Sequence, residues 1–475
     1  MLFCTREYLF FFVAIFSVYW LIPWHRSRVF LLLGASYYFY TCWNHWLAAL
    51  IAGTTVLDYF IARGMDATSS VARRRALLVL SLVVNIGLLA YFKYANFFLQ
   101  SLRESLAAAG ISANLPLLSV ILPVGISFYT FEAINYTVDV YRRKIAAERD
   151  LPSFMLFVLF FPHLVAGPIV RASDFLPQIR RRKRWDWARI HVGIQFILLG
   201  LFKKMAIADH MAQYADPVFA DPLAFKTSAV WMAVIAYSVQ IYCDFSGYSD
   251  LALGSAHLLG FHLAKNFDMP YIAANVSEFW RRWHISLSTW LRDYLFIPLG
   301  GSRGSDWQTC RNLLVTMVLG GLWHGASWNF VVWGALHGLL LIVHRSFRSW
   351  CEGRLEVSRL LETSAGWSLR VATTFAVVTA GWVFFRATTF TAAGHIFARL
   401  VQPIPGLKGP PLQGLSLWVL LIVLLVAHAA VASGIWRRIS MRAPAPALGI
   451  AYAVVLNLTL LLTPDGGKTF IYFQF

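Results

Sequence analysis

Apolar runs long enough to cross a lipid bilayer recur from residue 7 to residue 463, and no other feature of the sequence constrains the fold so tightly. The hydrocarbon core needs about 20 helical residues and offers no water to backbone N–H and C=O groups, so such runs fold as helices that satisfy their own hydrogen bonds. Charged residues are 13% of the chain, against about 25% in an average soluble domain. That shortage of solvated surface excludes a soluble enzyme. With a mean hydropathy of +0.60, the expected fold class is an all-α polytopic membrane protein, a single membrane domain over 1–475.

Candidate spans lie at 7–24, 28–42, 46–62, 76–95, 117–136, 190–208, 228–245, 311–323, 326–344, 369–386, 415–432 and 446–463, about eleven or twelve crossings. The first follows Arg6 and ends in Trp20, Pro23 and Trp24 without a small-residue cleavage site, so it reads as a retained span. Lys and Arg outnumber Asp and Glu by 41 to 23, a formal charge of +18, yet the basic residues cluster in short loops. This is the positive-inside pattern of a protein set in membrane lipid, and no nucleic acid partner is implied. Arg63 and Arg73–Arg75, then Arg142–Lys144, then Arg180–Arg184 all belong on the cytoplasmic side. The apolar stretch 151–170 between the last two blocks therefore has to enter the membrane and return, and Pro162, Gly167 and Pro168 supply the breaks. Residues 246–310 are likewise interrupted, by Lys265, Arg281, Arg282, Arg292, Asp293 and Arg303, and read as interfacial and re-entrant pieces. Cys4, Cys42, Cys243, Cys310 and Cys351 are odd in number and scattered, which suggests neither a disulfide framework nor a zinc site.

Ionisable groups at membrane depth cost about 2.5–3.5 kcal/mol each and are candidates for function. His324 sits between two apolar runs in VLGGLWHGASWNFVVWGALHGLL, with Gly320, Gly321 and Gly325 around it. Small residues let helices approach closely, and a neutral imidazole in a low-dielectric site suits a general base. A packed histidine bonded to a neighbouring helix is the plainer alternative. His337 would lie about 220° further round a continuous helix and reads as a satisfied structural histidine. The segment 278–301 reads as an amphipathic interfacial helix with Trp280, Trp283, His284 and Leu287 on one face. Trp at headgroup level with Arg toward phosphates is an ordinary anchor. The functional alternative has Arg281 and Arg282, with Trp283 beside them, receive the phosphates of an anionic cofactor at the cytoplasmic mouth, which His284 lines. Asp244 and Asp250 read as structural partners of those arginines, in preference to orienting a histidine or binding a hydroxylated acceptor. Glu132, Asn135, Asp139 and His163 are expected to line a cavity. There is no G-x-S-x-G elbow, Walker lysine motif, H-E-x-x-H motif or Cys/His cluster, so no metal is expected.

Six segments, in order, resemble the membrane-bound O-acyltransferase superfamily and within it the bacterial alginate O-acetyltransferase branch: PVGISFYTF at 123–131, FFPHLVAGPI at 160–169, YCDFSGYSDLALG at 242–254, FWRRWHISLSTWLRDYLFIPLGG at 279–301, GGLWHGASWNFVVWGALHG at 320–338 and FIYFQF at 470–475. The resemblance implies that His324, in a catalytic segment over 311–344, is the principal catalytic histidine and that His284 is the second. It implies a ring of tilted helices around a funnel in the bacterial inner membrane, where a cytoplasmic thioester donor, acetyl-CoA or another acyl thioester, meets an acceptor from the other side. The acceptor would be an exported polysaccharide or a periplasmic acetyltransferase partner. Relatives in the superfamily pass D-alanyl or other acyl groups to other envelope polymers. A secondary transporter is the alternative from another class, since broken helices and intramembrane polar residues are normal there too.

Overall fold

The computed structural model describes residues 3–164, 167–403, 407–411, 414–464 and 470–471. They form helices joined by short connections, and among them there is no β-strand, the isolated bridge between Phe225 and Lys408 aside. Seven described helices are long and apolar enough to cross a membrane: His45–Asp66, Val71–Ala108, Trp187–Ala220, Thr227–Leu258, Trp328–Glu352, Ser364–Arg386 and Ala445–Leu462. The chain is a multi-pass membrane protein. The expected runs at 7–24 and 28–42 form the shorter helices Arg6–Leu21 and His25–Thr41. The run at 117–136 is helical only from Ile126, because Pro116 and Pro123 remove donors that a helix would need.

Packing gathers the chain into two compact units, Met1–Ile197 with Leu251–Ala264, and Leu198–Asp250 with Lys265–Phe475. In the first unit, a polar cluster ties three helices. Asp58 accepts from Ser81 Oγ at 2.6 Å and from Asn85 Nδ2 at 2.8 Å, and Ser81 reaches Thr137. Arg74, from a loop-proximal basic block, is buried and donates to the backbone carbonyls of Met65, Val140 and Tyr141, so one guanidinium satisfies orphan carbonyls at two helix ends.

The segment 151–170 is a helix, Leu151–Leu159, a break at Phe160, and the short turn Phe161–Leu164. The next helix, Ala172–Arg180, returns to pack on it, with Phe175 against Phe157 and Phe160 at 6.5 and 5.2 Å between ring centres. Val170 is pinned through both backbone groups: its N–H donates to Glu132 and its carbonyl accepts from Asn135. Glu132 also lies 3.1 Å from His163 Nδ1, so three of the four residues expected to line a cavity are joined in one buried cluster that fixes this hairpin. Asp139 pairs instead with Lys144 at 3.4 Å.

In the second unit the expected pairing of Asp244 and Asp250 with the interfacial arginines is replaced by another. Lys203 holds Asp250 at 2.6 Å, and Lys204 holds Asp244 at 2.5 Å and Asp209 at 2.8 Å. Both lysines sit in the π-helical turn Phe202–Ala208, and Arg282 has the nearer carboxylates of Glu278 and Asp268. The sequence signal was present, two adjacent lysines inside the apolar run LGLFKKMAIA.

Candidate active site

His324 is the last residue of the helix Asp306–His324. Gly325 continues in extended conformation, Ser327 caps the next helix by accepting the N–H of Asn329, and Trp328–Glu352 runs back along the first. The two helices touch backbone to backbone: a Cβ on Gly321 would lie 2.2 Å from the carbonyl oxygen of Phe330, and one on Gly334 would lie 2.3 Å from that of Met317. Glycine is required at both positions for this approach. The result is a hairpin whose bend carries an imidazole.

Aromatic rings enclose that imidazole. Trp323, Trp333 and Phe385 lie 5.0, 5.1 and 5.3 Å from the His324 ring, all three edge-on. Phe385 is held near by Asn329, which donates to the carbonyl of Ala387 at the end of the helix Ser364–Arg386. His324 keeps 4% of its surface exposed, whereas His284, 6.3 Å away between ring centres, keeps none. Both imidazoles are buried, His324 slightly less completely than His284.

His284 arrives by a different route from the one expected. Residues 278–301 do not form one amphipathic helix but split into Val276–Arg282 and Ile285–Leu291, with Trp283 extended and His284 left-handed at φ 42°. That region is costly for a non-glycine residue and is held here by Asn266. The backbone carbonyl of Asn266 accepts from the N–H of Ile285, and its side-chain Oδ1 accepts from both the N–H and the hydroxyl of Ser286. Since a backbone N–H only donates, the atom facing Ser286 is the amide oxygen. His284 Nδ1, 3.1 Å from that same oxygen, must then carry the ring proton, which makes Nε2 the basic nitrogen of the neutral ring. Burial pushes the His284 pKa down to about 3 and keeps the ring neutral. Asn266 was not singled out in the sequence, because a lone Asn 18 residues from its histidine leaves no local pattern.

The remaining expected groups divide. Arg281 is exposed and approaches the hydroxyl of Ser277 at 3.5 Å. Arg282 is half-buried, donates to Glu278 at 2.9 Å and to the Asp268 carbonyl at 3.1 Å. Trp283 is fully buried against Phe279 and Trp382, so the guanidinium of Arg281 is the group most open to an anion. His337 is not on one continuous helix with His324: the break at Gly325 folds the second helix back, and on it His337 lies one turn after Trp333, the ring that also faces His324, at 4.8 Å between ring centres. Nor is it satisfied, since neither of its ring nitrogens has a hydrogen-bond partner among the described residues.

Residues 141–354 match the family described as MBOAT, membrane-bound O-acyltransferase family, a range that contains both histidines of the pair. A protein of Pseudomonas aeruginosa named probable alginate O-acetylase is 41% identical over 435 residues, covering 90% of this chain and 80% of the relative. The peptidoglycan O-acetyltransferase of Helicobacter pylori is 36% identical over 411 residues, 81% of this chain and 75% of its own. The teichoic acid D-alanyltransferase of Bacillus subtilis is 27% identical over 293 residues, 56% of this chain and 72% of its own.

Proposed function

Since this chain belongs to the membrane-bound O-acyltransferase family, we propose that it moves an acetyl group from a cytoplasmic thioester, with acetyl-CoA as the donor, across the bacterial inner membrane to hydroxyls of an exported polysaccharide. The chain is an O-acyltransferase acting on a polysaccharide. Delivery through a periplasmic partner protein is the second form of the same reading. The acetyl assignment is supported by relatives named for acetyl transfer, which match more of the chain and at higher identity than the D-alanyl one.

The observation that carries the reading is the pair of buried imidazoles, His324 at a helix end and His284 with its proton fixed on Nδ1 by Asn266, in one aromatic enclosure. In the proposed mechanism the acceptor hydroxyl gives its proton to His324 as its oxygen attacks the thioester carbonyl carbon. The tetrahedral intermediate then collapses, the C–S bond breaks, and the departing thiolate takes the proton back from the His324 imidazolium. His284 positions its partner, and the rings exclude the water that would otherwise hydrolyse the thioester. Arg281, with Arg282 behind it, is proposed to meet the donor phosphates, and Trp283 supports that turn from inside.

The test uses purified protein in lipid nanodiscs, labelled acetyl-CoA and an acceptor glycan, with His324→Ala alongside. Label is expected on the glycan with the unsubstituted protein and at background with the variant. Equal transfer by the two would overturn the catalytic assignment.

A further inference from the structure

Asp244 employs both of its carboxylate oxygens. Oδ1 accepts from Lys204 Nζ at 2.5 Å, and Oδ2 accepts from the backbone N–H of Ile471 at 2.8 Å. Lys204 is shared with Asp209, so two acids divide one ammonium group in a buried cluster. Lys204 divides its donors between two carboxylates, and a buried carboxylate oxygen without a donor is strongly unfavourable. The missing donor comes from 227 residues further along the chain.

The same helical face receives the neighbouring side chain. Tyr248 lies one turn after Asp244, and its ring is 4.0 Å from that of Phe470, which is completely buried. Phe470 also touches Phe245, at 5.9 Å between ring centres, and Phe245 meets His284 edge-on at 4.6 Å and 86°. A continuous line of contacts therefore runs from Lys204 and Asp244 through Phe470 and Phe245 to His284, and from there to His324.

We propose that Asp244 is a positioning residue for acyl transfer: with Lys204 it forms a socket for Phe470–Ile471, and the seated Phe470 braces Phe245 edge-on to His284, the neighbour of His324. This rests on the acyltransferase reading, because the chemistry it serves is that of His284 and His324. An edge-on aromatic contact sets the tilt of an imidazole as a hydrogen bond sets its tautomer, so Asn266 and Phe245 fix different degrees of freedom of the same ring.

Two measurements test it. In the nanodisc assay Asp244→Asn, which keeps an acceptor oxygen but loses the charge that Lys204 holds, is expected to lower kcat about 10- to 100-fold, with KM for acetyl-CoA within about twofold, and Asp244→Glu is expected to restore part of the loss. In a His284→Ala background the same change is expected to add little, because residues acting through one another are non-additive. Equal factors in the two backgrounds would overturn the proposal. Independently of activity, an Ile471→Cys variant is expected to resist maleimide, read by mass spectrometry at position 471, and to become reactive when Asp244→Asn is added. Unchanged labelling would overturn the socket, whereas absence of acyl transfer by the unsubstituted protein would overturn the acyltransferase reading.

Discussion

At the residue scale the decisive facts concern which atom of a ring holds a proton and what a missing side chain leaves open. His284 has its pKa lowered from the ordinary 6.5 to about 3, so in the folded chain it stays uncharged while in the unfolded chain it takes up a proton as pH falls below 6.5. Its contribution to stability is thus complete above about pH 6.5 and is lost progressively toward pH 3. His284→Asn, which tolerates the left-handed backbone and does not titrate, is expected to flatten the decline of the melting midpoint in detergent across that window; an unchanged slope would mean that other groups set it. Gly381 offers a second test. A Cβ there would lie 3.2 Å from His337 Nε2, so Gly381→Ala is expected to destabilise by about 1–3 kcal/mol and to lower acetyl transfer by displacing His337, which packs on the indole that faces His324. A melting midpoint and kcat equal to those of the unsubstituted protein would show that the contact relaxes freely.

At the scale of elements, the hairpin of Asp306–His324 and Trp328–Glu352 is what places the His324 ring at a bend. A Cβ at Gly321 or Gly334 would meet backbone, which has nowhere to go, unlike the far end of a flexible side chain. Gly334→Ala is accordingly expected to force the helices apart, at a cost of at least about 3 kcal/mol, and to abolish monodisperse protein in size-exclusion chromatography. Recovery of a monodisperse, active variant would show that the hairpin is not the rigid support described. The sequence pattern of 278–301 placed Trp280, Trp283, His284 and Leu287 on one face of an interfacial helix, and in the folded chain all four are buried. The break between Trp283 and His284 was not legible, because its cause is a hydrogen-bonding residue, Asn266, that lies outside the segment.

At the scale of the whole molecule, buried charge is distributed as pairs that close over long stretches of chain. Removing one partner and removing both should differ sharply. Lys203→Met alone leaves Asp250 unpaired and is expected to cost about 3–5 kcal/mol, while Lys203→Met with Asp250→Leu is expected to recover most of that, as judged by urea unfolding in detergent. Equal losses in the two proteins would show that the pair is not the unit of stability. Sequence alone determined the helical membrane class and the two histidine-bearing segments, since hydrophobic length and a contiguous motif are properties of neighbouring residues and survive without knowledge of the fold. Tertiary structure decided which polar groups satisfy each other: Lys204 with Asp244 across 40 residues, His284 with Asn266 across 18, Ile471 with Asp244 across 227. A buried donor or acceptor accepts whichever complementary group the packing brings within about 3 Å, and that choice is made by the arrangement of helices in space, which no local pattern records.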